Sequence, residues 1–225
     1  MPKAVGFDFD HTLGIDNKLE RIAFLEVVHE IAARSHSAID VTVAGAIIDR
    51  ELGLFRAGHS GLSDALARAF ASILGGHAPA EAEHMFREHA VRLVSQYVAA
   101  LPGVPQLLAE LDRRRLPYAI LTNGWNPLQQ EKADSIGFRR PVLVSEDLGV
   151  RKPEPEAFFV LARVLNSEPG DTIYVGDDPL VDIVGALRAG MQAIWFEWEV
   201  RTYPPDAPPP TAIVHRIGDV LNYLS

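Results

Sequence analysis

Residues 4–14 read AVGFDFDHTLG. Residues 3–8 (KAVGFD) form a short apolar run that stops at two aspartates one residue apart, Asp8 and Asp10. A small turn with Thr12 and Gly14 follows. A continuous apolar run of this length is what a parallel strand covered by helices on both faces looks like. Positions i and i+2 of an extended segment point the same way. The two carboxylates are therefore expected side by side in the mouth of a buried strand.

The chain around this stretch has 225 residues, long enough for one large domain or a core with a smaller partner. It is 48% hydrophobic and 23% charged, as soluble globular proteins are. The net charge of -9 argues against nucleic acid and anionic membranes as partners. A small anionic substrate stays compatible, because a metal and a few local cations outweigh distant surface charge. With no cysteine, disulfides, zinc-thiolate sites and cysteine nucleophiles are excluded. MPKAVGFDFD lacks the features of a signal peptide, and no apolar run approaches the ~20 residues of a membrane helix. A cytoplasmic protein is expected.

Residues 16–100 contain no convincing strand and read as an all-helical insert. Ile22, Leu25, Val28 and Ala32 recur at helical spacing, widened by Phe24, Val27 and Ile31. Further helices are expected over 40–52, with Asp40 as N-cap, over 63–74 and over 78–101. LPGV at 101–104 breaks this pattern, and strands and helices alternate from there on. Helices are expected at 104–115, 127–137, 154–166 and 179–189, strands at 117–122, 141–145, 172–176 and 191–196. YPPDAPPP (203–210) is a loop, TAIVH a last edge strand and IGDVLNYL a final helix. The sum is a doubly wound, Rossmann-like parallel α/β core from residues 1–15 and 101–225, with a helical insert at 16–100.

In such a core, ligands bind at the carboxyl ends of the strands. Those ends carry Asp8 and Asp10, then Thr122, Asn123 and Gly124, then Lys152 in RKPEP, then Asp177, Asp178 and Asp182 in GDDPLVD. Five carboxylates in one crevice repel each other unless a hard divalent cation joins them. Mg2+ suits an all-oxygen set and also accepts phosphate oxygens. Lys152 and Thr122 are placed to hold other phosphoryl oxygens.

With these pieces in this order, the chain resembles the haloacid dehalogenase-like hydrolase superfamily, in its phosphatase branch with a helical cap inserted after the first motif. DFDHT (8–12), LTN (121–123), Lys152 and GDDPLVD (176–182) carry the resemblance, which covers nearly the whole chain. It implies a phosphate monoester hydrolase with Asp8 as nucleophile, forming an aspartyl-phosphate, and Asp10 as general acid and then base. It implies Mg2+ held by Asp8, the main-chain carbonyl of Asp10 and Asp177. Phosphate-binding falls to Thr122, Asn123 and Lys152. Asp182 would orient Lys152 or a metal-bound water.

Several residues keep two readings. Asp178 reads equally as a helper or as an N-cap ahead of Pro179. Trp125 stacks on a substrate or packs inside, and His11 reads as a loop residue. His84 and His89 are five apart and read as solvated. LFRAGHSGLSD (54–64) is a Gly-rich connector or, with Arg56 and His59, a substrate-reading loop. A dehalogenase proper is disfavoured by Asp10, and a phosphonate hydrolase by the poor position of Lys18. A sugar phosphomutase or a non-catalytic phospho-ligand binder remain the alternatives. The substrate is expected to be a small phosphorylated metabolite, and the oligomeric state is not encoded legibly.

Overall fold

The computed structural model describes residues 3–34, 36–76, 78–199 and 202–224. Residues 1–2, 200–201 and 225 of the expected core, and 35 and 77 of the expected insert, lie outside the described residues. The chain divides into two compact units, Met1–Asp16 with Val98–Ser225, and Asn17–Tyr97. Helices α1 (Leu19–Arg34), α2 (Val41–Arg56), α3 (Leu62–Leu74) and α4 (Ala82–Tyr97) make up the second unit. Helices α5 (Val104–Arg114), α6 (Leu128–Ser135) and α7 (Pro155–Val164) belong to the first.

The helical unit packs its apolar faces around Phe24, whose ring centroid lies 5.8 Å from that of Phe70 and 5.7 Å from that of Phe86. Asp40 caps α2 by accepting hydrogen bonds from the Thr42 and Val43 amides. Gly53 does not end α2, which runs on to Arg56. A helical glycine costs only about 1 kcal/mol, too little to stop a helix whose opposite face is buried. Arg56 is therefore the last helical residue and not part of a loop, and the connector shrinks to 57–61. Helix α4 ends at Tyr97, short of the expected 101, because Ala99–Ala100 pairs with Gly14–Ile15 in an antiparallel ladder.

The first unit is built on six parallel strands: β1 (Ala4–Phe7), β2 (Tyr118–Thr122), β3 (Val142–Val144), β4 (Thr172–Gly176), β5 (Gln192–Phe196) and β6 (Ala212–Val214). Their order is β3-β2-β1-β4-β5-β6, the doubly wound arrangement expected from the alternation. Both sheet faces are covered. Val5, Phe7 and Phe9 pack with Val104, Leu107 and Leu111 of α5. On the other face Ala4 lies with Phe158 and Leu161 of α7 and with Tyr174. Gly6 faces that layer too, and a side chain there would strike Leu161 and Tyr174. The run AVGF is thus apolar throughout because neither face meets water.

Two expected helices differ in kind. Residues 179–189 open as a π-helical turn, Pro179–Val184, before the α-helical Gly185–Arg188. The final segment, Ile217–Tyr223, is a 3-10 helix. Among the described residues no helix is long and apolar enough to cross a membrane.

Candidate active site

The strand order reverses direction between β1 and β4, the place where doubly wound sheets open a crevice. Phe7 pairs with Val175, and the Asp8 amide donates to the Val175 carbonyl at 2.9 Å. Asp8 and Asp177 consequently leave neighbouring strands at the same level. Asp8, Asp177 and Asp182, all buried, offer carboxylate oxygens within 4.8 Å of one another.

Lys152 reaches this cluster from the segment before α7. Its Nζ donates to Asp8 Oδ1 at 2.5 Å, to Asp182 Oδ1 at 2.6 Å and to the Tyr174 hydroxyl at 3.0 Å. An ammonium has three donors, so all are engaged. Burial alone would lower the lysine's pKa, but attraction from Asp182 and Asp8 outweighs it and raises the pKa well above the usual value. The Tyr174 hydroxyl donates in turn to the Leu121 carbonyl at 2.8 Å, tying the lysine to β2.

Asp8 is pushed the other way from an ordinary ion-paired aspartate. Burial raises its carboxyl, Lys152 lowers it, and repulsion from Asp182 and Asp10 raises it again, to about 7. Asp8 and Asp182 share the one Lys152 ammonium, and with Asp177 they offer only oxygen donors. An oxygen-only donor set of this kind fits a hard divalent cation.

The neighbouring residues divide into those that shape the site and those that do not. Asp182 Oδ2 also accepts from the Asp178 amide at 3.0 Å, so both of its oxygens are engaged. Its carboxylate fills the space where a Cβ on Gly176 would stand, which is why glycine ends β4. Asp178 accepts from the Leu180 and Val181 amides, each at 2.9 Å, and is the N-cap of the π-helical turn. The Trp195 indole donates to the Asp177 carbonyl at 2.8 Å and fixes the loop after β4.

Thr122, 1% exposed, ends β2. The side chain of Asn123 does not present itself to a phosphate as expected. Its Nδ2 donates to the Lys152 carbonyl and its Oδ1 accepts from the Lys152 amide, both at 2.9 Å, so it clamps the lysine's backbone. Trp125 is 1% exposed and is a packing residue, with no face open for stacking.

Asp10 is held by a residue the sequence did not single out. Lys132 of α6 donates to Asp10 Oδ1 at 3.0 Å and to Asp16 Oδ2 at 2.9 Å. Gln129, three residues earlier on the same helix face, approaches Asp10 Oδ2 at 3.5 Å. In sequence, LQQEKADS shows no apolar stripe and reads as a solvated helix, which hides a buried lysine. Tyr174 was hidden likewise, as one apolar letter in a strand.

The remaining candidates make other contacts. His11 stands at a positive φ of 61° in the loop, its Nδ1 3.2 Å from Glu199 Oε1. Arg56 and His59 belong to the helical unit. The Arg56 guanidinium donates to Glu20 Oε2 at 2.7 Å, and His59 is exposed. His84 is exposed, but His89 is half-buried, with its Nδ1 2.8 Å from Glu26 Oε2 and its Nε2 3.5 Å from Glu30 Oε2, which corrects the solvated reading. A cavity lined by Asp112, Arg115, Tyr118 and Arg140 sits at the opposite end of β2 from Thr122, away from the cluster.

Comparison with known proteins agrees with this geometry. The chain is 36% identical over 122 residues to phosphoserine phosphatase of Thermus thermophilus, covering 53% of this chain and 47% of that one. It is 34% identical over 106 residues to glyceraldehyde 3-phosphate phosphatase of Pyrococcus furiosus, covering 45% and 44%. The chain thus spans about half the length of the curated relatives it matches. The HAD-hydrolase YfnB of Bacillus subtilis, a crystal structure bound to magnesium, shares the fold at a TM-score of 0.74 and 21% identity, covering 100% of this chain and 99% of that one. The family model for haloacid dehalogenase-like hydrolases matches residues 2–190, from β1 through Asp8, Thr122, Lys152 and Asp177. The chain belongs to the haloacid dehalogenase-like hydrolase family.

Proposed function

We propose that the chain is a Mg2+-dependent phosphate monoester hydrolase acting on a small phosphorylated metabolite through an aspartyl-phosphate on Asp8. The observation that carries this reading is the buried Asp8 at the sheet's reversal point, 2.5 Å from Lys152 and beside Asp177 and Asp182. The matched relatives are named for phosphate monoesters, which supports the substrate class.

In the first step an Asp8 oxygen bonds to phosphorus, the bond to the leaving oxygen breaks, and Asp10 gives that oxygen a proton. Esterified Asp8 no longer competes for the Lys152 ammonium, whose freed donor passes to a phosphoryl oxygen together with the Thr122 hydroxyl. In the second step water adds to phosphorus, its proton goes to Asp10, and the bond between phosphorus and the Asp8 oxygen breaks. Phosphate leaves, and both aspartates return to their starting states. Asp182, Asn123 and Tyr174 act by holding Lys152.

Asp8 and Asp177, with the main-chain carbonyl of Asp10, are the groups to hold Mg2+, since both Asp182 oxygens are already engaged. Such an ion offsets the negative charge shared by nucleophile and phosphate. The magnesium bound in YfnB supports the same choice of ion. In this reading Asn17–Tyr97 is the inserted helical cap and the sheet unit the catalytic core.

The test is phosphate release from a panel of phosphorylated metabolites, with and without Mg2+, alongside Asp8→Asn. Release that needs both the ion and Asp8 is the expected result. No release from any monoester, by folded protein supplied with Mg2+, sinks the reading.

A further inference from the structure

We infer that Lys132 is a positioning residue that fixes the Asp10 carboxylate for its proton transfers, an inference that rests on the function proposed above. A lysine is seldom buried, because removing its charge from water costs several kcal/mol. Lys132 has a side chain only 1% exposed, and it reaches two carboxylates, Asp10 at 3.0 Å and Asp16 at 2.9 Å. The exposures are unequal: the Asp10 side chain is 32% exposed and that of Asp16 is 14%. The ammonium thus grips Asp10 from the protein side and leaves the carboxylate open on the other.

The two contacts differ in kind. Asp16 directly follows the short strand Gly14–Ile15, so the lysine also ties the segment after Asp10 to α6. Gln129 approaches the second Asp10 oxygen at 3.5 Å from the same helix face. With Oδ1 occupied by Lys132, Oδ2 is the oxygen left to exchange a proton with substrate or water. Loss of the ammonium frees the carboxylate to rotate, and the proton donor is then no longer aligned when the bond to phosphorus breaks. A general acid contributes ~10²–10⁴-fold only when it is aligned.

A purely structural lysine would affect all substrates alike, so the test uses two leaving groups. Nitrophenolate departs from p-nitrophenyl phosphate without a proton, whereas the alkoxide of glycerol 2-phosphate, or of the alkyl monoester that the panel ranks first, needs one. kcat/KM reports only the step that forms the aspartyl-phosphate. Lys132→Met is expected to lose about 100-fold in kcat/KM on the alkyl ester and less than about threefold on p-nitrophenyl phosphate. On p-nitrophenyl phosphate it is also expected to show a burst of nitrophenolate, because the second step still needs Asp10. Lys132→Gln, which keeps an N–H, should recover part of the loss. Where Lys132→Met fails to fold because two carboxylates lose their ammonium, the pair Lys132→Met with Asp16→Asn removes one of those charges and carries the same readout. Equal loss on both esters, or no loss on either, overturns the inference. Failure of the wild type on every monoester instead overturns the proposed function, so the two failures are distinct.

Discussion

Glu51 of the helical unit and Asp8 of the sheet unit are both buried carboxylates. Glu51 accepts hydrogen bonds at 2.7 Å from both Arg50 and Arg68, whose own side chains remain 62% and 44% exposed. Burial pushes the Glu51 carboxyl up, but the hydrogen bonds from Arg68 and Arg50 prevail and hold it below the usual range. Asp8 has only a share of one lysine, with Asp182 beside it, and sits at about 7. A carboxylate that serves the fold is surrounded by enough positive charge. The one in the candidate site is left short of it, and in the proposed function that deficit is what a metal and a phosphoryl group use.

The largest expected effect comes from removing the unbalanced carboxylate. Asp8→Asn should lower turnover by about 10⁴-fold or more, yet it should not lower the melting temperature of metal-free protein above pH 7. The sign follows from the pKa, raised from 3.8 unfolded to about 7 folded. Ionisation therefore favours the unfolded chain, and metal-free protein loses stability through Asp8 as pH rises from about 4 to about 7. Thermal melts in a chelator across that range should show the loss in the wild type and not in the asparagine variant. A lower melting temperature for Asp8→Asn at pH 8 would break the comparison.

Removing the shared cation should harm both properties. Lys152→Met is expected to cost about 10²–10³ in kcat, and about 3 kcal/mol of stability because two buried carboxylates lose their partner. Kinetics and denaturant titration measure the two losses. In the helical unit, Glu51→Gln should cost about 1–2 kcal/mol, because two half-exposed arginines return to water at little penalty. Turnover should be retained, and a large loss of kcat with the fold intact would mean that Glu51 is more than structural. The smallest effect is expected from Asp178→Ala, about 1 kcal/mol for a lost N-cap, again with turnover retained. A loss of activity beyond that of stability would return Asp178 to the reacting groups.

The groups at the strand ends were legible because backbone topology places them. A buried strand ends where its apolar run ends, and the doubly wound order then gathers Asp8, Thr122, Lys152 and Asp177 whatever the details of packing. What was not legible depends on side chains crossing between elements. Asn123 reads as a phosphate ligand beside Thr122, but its amide matches the Lys152 backbone across 29 positions in sequence. Lys132 reads as one more charge on a polar helix, and only the tertiary fold brings it to Asp10 and Asp16. Arg56 was misplaced in a loop because Gly53 looks like a stop signal, whereas the helix face around Glu51 and Leu52 is buried strongly enough to continue.

The central claim is that Asp8 carries the phosphoryl group. The direct measurement is acid quench of the protein during turnover of p-nitrophenyl phosphate with Mg2+, followed by mass spectrometry of its peptides. The account predicts one added phosphoryl group on the peptide containing Asp8, absent from Asp8→Asn. Turnover with no added mass on that peptide, or with the phosphoryl group on another residue, would contradict it.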